Sequence, residues 1–146
     1  MKFKIDKLLS AFGNKSAIES NYADSFTKNI INSINDEPYA ISKENVMYAA
    51  VKELGGFFYF KTIIVGSFKI KTMKGATLLV SGNDIEQELK TDMDEFQSDY
   101  SNVSNCFITR IDFQIEEKEA TILEAKNIKI LTLKAKKHII IFEMSH

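Results

Sequence analysis

Residues 55–65, Gly55-Gly56-Phe57-Phe58-Tyr59-Phe60-Lys61-Thr62-Ile63-Ile64-Val65, constrain the fold of this chain more than any other stretch. They form its densest run of aromatic and β-branched residues, which suits a pleated, extended backbone. Both alternation sets are apolar: Phe57, Tyr59, Ile63 and Val65 on one, Phe58, Phe60 and Ile64 on the other. A strand with one wet face would alternate apolar with polar. This run therefore predicts burial on both faces and a central place in a layered domain. His138–Met144 is also apolar on both sides and predicts a second central strand.

The 146 residues suit one domain spanning 1–146, mostly helical over 1–54 and mostly β over 55–146. A lone cysteine, Cys106, excludes an internal disulfide and gives no sign of an oxidising compartment. No apolar run approaches the ~20 residues that span a bilayer. The first residues interrupt their apolar positions with charge, unlike a secretory leader. These features predict a cytoplasmic protein without a membrane partner. Its richness in Lys, Asn and Ile points to an AT-rich bacterial genome.

The net charge of −1 exerts no global pull toward nucleic acid. Its distribution is uneven. Gly55–Gly82 holds four lysines and no acid, whereas Asn83–Asp99 holds seven acids and one lysine. Ala120–His146 holds five lysines and two glutamates. The simplest expectation is that basic strands lie beside acidic ones. A bipolar surface that steers a charged partner is the alternative.

Phe3, Ile5, Leu8, Leu9 and Phe12 predict a short helix over 3–12 that stops at Gly13. Ser16 and Glu19 fit a capping box, and Ile18, Tyr22, Phe26, Ile30 and Ile34 recur every four residues, predicting a helix over about 17–34. Met47, Ala50, Val51 and Leu54 suggest a third helix over 42–54; the competing reading is a strand turning at Gly55-Gly56. Poor strand formers at Ala49-Ala50 and Lys52-Glu53 favour the helix.

Strands over 68–72 and 76–80 would continue an antiparallel meander from 57–65. Over 84–100, Ile85, Leu89, Met93, Phe96 and Tyr100 recur at helical spacing, but no cap or stop frames a helix, and edge strands at 85–91 and 95–100 fit the meander better. Further strands fit 107–115, 128–135 and 138–144, and a short helix with acids first fits 117–126. The apolar phase shifts between Ile130 and Leu131, which implies a bulge or two buried faces. The fold class this predicts is α+β, with N-terminal helices packed on one face of a twisted, mainly antiparallel sheet of six to eight strands.

Catalytic chemistry is poorly represented. His146 is terminal, and His138 follows two lysines at a strand start, where a catalytic base would need an orienting partner and a nucleophile. Cys106 opens an apolar strand, as a packing cysteine would. No nucleotide-loop, serine-elbow or zinc-helix motif occurs. One cysteine and two histidines cannot form a usual zinc site. Asp92, Asp94, Glu95 and Asp99 lack the EF-hand pattern, with Phe96 and Gln97 where it needs an oxygen ligand and glycine. No cofactor, metal or catalytic residue is expected.

The expected function is a non-enzymatic interaction or regulatory module, binding a protein partner or itself. Its candidate surface is Asp92, Asp94, Glu95, Asp99, Tyr100 and Arg110. The alternative is a small apolar-ligand binder whose pocket, between sheet and helices, is lined by Tyr22, Phe57, Phe58, Tyr59 and Phe60. A pI near 6.1, and the better use of 57–60 as core, argue against nucleic acid.

Overall fold

A computed structural model describes residues 37–102, 105–124 and 127–145. Strands occupy 64% of them and the single helix among them 8%. The α+β expectation is therefore corrected: the described chain is an all-antiparallel curled sheet, not helices laid on a sheet. The helices expected at 3–12 and 17–34 lie outside the described residues.

In chain order the strands are β1 (Ala40–Ile41), β2 (Asn45–Leu54), β3 (Phe57–Gly66), β4 (Lys71–Thr72), β5 (Thr77–Gly82), β6 (Ile85–Lys90), β7 (Phe96–Gln97), β8 (Asp99–Ser101) and β9 (Cys106–Ile115). Helix α1 (Glu117–Glu124) precedes β10 (Ile128–Ala135) and β11 (His138–Met144). Nine strands form one sheet in the order β6-β5-β10-β11-β1-β2-β3-β9-β8, and β4 pairs with β7 separately. The expected six to eight strands are thus exceeded. Thr91, just past edge strand β6, bridges Phe113 of β9. Its N–H also bonds the Ala76 carbonyl. The sheet therefore curls almost into a closed barrel, a solution that leaves little open edge.

The helix expected over 42–54 is strand β2, paired with β3 along its whole length from Asn45↔Gly66 to Leu54↔Phe57. Ten cross-strand partners outweigh the weak strand propensity of its alanines. Its poorest strand residues, Lys52 and Glu53, fall at the exposed hairpin end, where they need no packing. Gly55 and Gly56 both take positive φ, as a tight two-residue hairpin turn requires.

The expected meander is also corrected. Strand β3 pairs with β2 and β9, not with 68–72. In that segment Phe68, Ile70 and Thr72 are buried while Lys69 and Lys71 face water, so the alternation holds, but the hydrogen-bond partner is β7. Strand β5 lies between β6 and β10. The register slips between Ile128 and Ile130, earlier than the phase shift in the sequence suggests.

The interior holds one large cluster that includes Met47, Phe60, Ile64, Leu78, Phe113, Leu131, Leu133 and Phe142. Phe60 is fully buried and meets Tyr39 edge-on, with ring centroids 5.3 Å apart. Helix α1 packs Ala120 and Leu123 into this cluster, and the Leu123 carbonyl accepts the Tyr39 hydroxyl at 2.7 Å. The buried Glu119 carboxylate accepts the Glu116 N–H at 2.8 Å, capping the helix, and the Gln87 side-chain amide at 2.6 Å. A second buried cluster, Val46, Tyr48, Ile63, Val65, Cys106 and Ile108, occupies the other face of β2, β3 and β9.

Candidate functional site

Strand alternation decides which side chains can reach a partner. On β9 it sends Ile111, Phe113 and Ile115 inward and Arg110 and Asp112 outward. Lys61 lies directly across the ladder from Asp112 and bonds its carboxylate at 3.3 Å. The Asp92 N–H bonds the Asp112 carbonyl at 2.8 Å and pins the acidic loop to β9.

Between loop and strand runs an open groove of about 300 Å³, lined by Asp92, Glu95, Asp99, Arg110 and Asp112 among others. A neighbouring groove of about 440 Å³ shares Arg110 and Asp112 and adds Lys52, Glu53 and Lys61. Four of the six surface residues singled out in the sequence therefore meet. The other two do not. Asp94 lines a different groove, beside Lys74 and Lys90. Tyr100 bonds the Asn105 side chain at 2.8 Å and packs on Phe107, with ring centroids 5.0 Å apart.

The aromatics of the alternative pocket are dispersed. Phe57 is 58% exposed at the hairpin end, Phe58 and Tyr59 are half-buried, and Phe60 is core. Tyr22 lies outside the described residues. The basic stretch 55–82 does lie beside the acidic stretch 83–99, at β5–β6 and β4–β7, but the one cross-strand ion pair among the described residues is Lys61–Asp112; the other, Lys118–Glu116, is local to α1.

Cys106 is buried. The exposed His138 ring meets Phe68 edge-on at 5.3 Å. Among the described residues, no three His, Cys, Asp or Glu side chains are grouped to hold a metal. Nor is any helix among them long and apolar enough to cross a membrane.

Two features escape the sequence reading. The first is the outer face of β10 and β11. Ladder pairs Thr132↔Ile141, Lys134↔Ile139 and Ile130↔Glu143 point away from the core, while Leu131↔Phe142 points in. Ile139 is 65% exposed, Ile141 58% and Ile130 39%. Leu79, opposite Thr132 on β5, extends this apolar strip. The signal was present: Lys134 and Glu143 share the face with the isoleucines, and charge marks a strand face that meets water. The second is a groove of about 490 Å³ walled by Lys74, Lys90, Lys134 and Lys136. Its lysines come from three separate stretches, Lys74, Lys90 and Lys134 with Lys136, so no local motif announces them.

Comparison with protein-family models, with curated proteins and with solved structures finds no match to this chain.

Proposed function

We propose that the protein is a non-enzymatic interaction module that self-associates through the outer face of β10 and β11. The exposed isoleucine strip carries the reading: three β-branched apolar side chains stand in water on interior strands of a sheet. Grouped exposed apolar residues rimmed by charge are typical of interaction surfaces. Interior strands have no free backbone edge, so side chains alone must recognise the partner.

Charge selects a second copy as that partner. Lys134 and Glu143 lie on opposite sides of the Thr132↔Ile141 pair, on adjacent strands. A two-fold axis across the strands at that pair stacks Ile141 on its own copy and sets each Lys134 diagonally opposite the partner's Glu143. Such isologous self-complementarity is what a symmetric dimer requires. The acidic groove at Arg110, with Lys61 and Asp112 already paired, offers no comparable apolar centre. The grooves described above are open and mixed in polarity, so none of them is the enclosed apolar site that the small apolar-ligand alternative would need.

Sedimentation across low to high micromolar concentration tests the reading. The parent chain should show a reversible monomer–dimer equilibrium. Ile139→Lys with Ile141→Lys should stay monomeric with an unchanged fold. Lys134→Glu should weaken the dimer and adding Glu143→Lys should restore it. A parent chain that remains monomeric throughout would sink the proposal.

A further inference from the structure

The lysine-walled groove shares Lys134 with the charged rim of the isoleucine strip, but its other walls, Lys74, Lys90 and Lys136, are its own and make a separate case. Lys134 on β10 and Lys90 on β6 both pair with Thr77, which lies between them on β5. At about 4.8 Å per strand their backbones stand roughly 10 Å apart. The short threonine leaves a low floor over which two long side chains can converge. Lys136 enters from the β10–β11 turn, where it holds a positive φ of 52°, and Lys74 enters from the loop before β5. Thr91 and Asp94 complete the far wall. The loop is fixed there because the Gly75 N–H bonds the Asp94 carbonyl at 2.6 Å and the Ala76 N–H bonds the Thr91 hydroxyl at 3.3 Å.

Among the described residues, none of these four lysines makes an ion pair. One carboxylate, Asp94, faces four ammonium groups, so the groove carries an unneutralised excess of positive charge in a chain whose net charge is −1. Concave walls focus such a field more strongly than a flat surface would. Ammonium groups act as point charges that suit the rounded charge of phosphate, whereas planar carboxylates are better served by arginine, which is absent here. No aromatic ring lines the groove to stack on a base or sugar.

We propose that this groove binds a ligand carrying adjacent phosphate groups, recognised through the phosphate chain itself. A free inorganic polyphosphate and the tail of a nucleoside triphosphate present the same chemistry.

Calorimetric titration with sodium tripolyphosphate tests the site, using the parent chain at a concentration where it is monomeric, so that self-association does not enter. Saturable one-to-one binding is expected, weakening at least tenfold in Lys90→Glu with Lys136→Glu. Lys90→Gln with Lys136→Gln, a milder pair for the case where the reversal disturbs folding, should weaken binding severalfold with an unchanged denaturation midpoint. ATP binding no tighter than tripolyphosphate would assign the free chain as the source, and tighter binding would assign the nucleotide; both support a phosphate site. Parent-like binding in the folded double variants, or equal displacement by sulfate at matched ionic strength, would overturn it.

Discussion

Strands β3 and β11 share one sequence pattern, apolar on both sides, yet the outer face around β3, with β2 and β9, and the outer face around β11, with β10, ended in opposite environments. On the first, Val46, Tyr48, Ile63, Val65, Cys106 and Ile108 are buried as a second cluster. On the second, Ile139 and Ile141 stand in water. Apolar residues on both faces of a strand therefore do not imply that both faces are covered. They state which side chains would gain by leaving water, and whether a second layer arrives is a separate matter. Even β3 is divided: Ile63 is sealed while Phe57, on the same outer face, is exposed. Lys61 stands between them and marks where the face turns wet.

Stability measurements on single substitutions test this contrast. The inner core sets the upper reference: Phe60→Ala should cost roughly 3–5 kcal/mol, read by denaturant titration, because a large void would open between Tyr39 and Phe113. A loss under about 1 kcal/mol would mean that β3 does not organise the fold.

The two outer faces should then separate. Ile63→Ala is expected to cost about 2–4 kcal/mol. Ile141→Ala, measured on the monomer, should stay within about 0.5 kcal/mol. Similar losses at the two sites would erase the distinction between the faces.

Tyr39 offers a smaller, pH-dependent comparison. Burial first, and the Glu124 carboxylate second, push its hydroxyl pKa well above the usual tyrosine value. The folded state thus holds the neutral phenol, while the unfolded chain releases the proton near pH 10. The stabilisation is complete below about pH 10 and is lost as pH rises above it. Tyr39→Phe should lower stability by about 1 kcal/mol at neutral pH through the lost bond to Leu123. It should also flatten the alkaline decline relative to the parent. Parallel declines would show that the hydroxyl is not held neutral.

The smallest effect belongs to the half-exposed Lys61–Asp112 pair. Lys61→Met should change stability by about 0–1 kcal/mol, and less at high salt. A larger cost would mean that this pair, not apolar packing, fixes the β3–β9 register.

Local pattern was enough to place the strands at 57–65, 107–115, 128–135 and 138–144, the edge strand expected at 85–91 and found at Ile85–Lys90, and the helix beginning at Glu117. Each is specified by its own periodicity, or by acids matching the helix dipole, within a few residues. Partner choice was not local. Residues 68–72 show the right alternation, yet nothing within them says that β7 rather than β3 supplies their hydrogen bonds. Residues 45–54 became a strand because β3 offers a full-length partner, a term that helix propensity does not contain. The acidic surface was half legible: Asp92, Glu95, Asp99 and Arg110 meet because β9 lies beside the loop, while a turn within the same loop carries Asp94 to the lysine groove. That groove gathers Lys74, Lys90, Lys134 and Lys136 across 62 positions of sequence. Sequence supplied the residue types and their alternation; the curl of the sheet, which brings the end of β6 to β9, selected which of them face one another, because strand pairing and closure depend on long-range geometry that no short window contains.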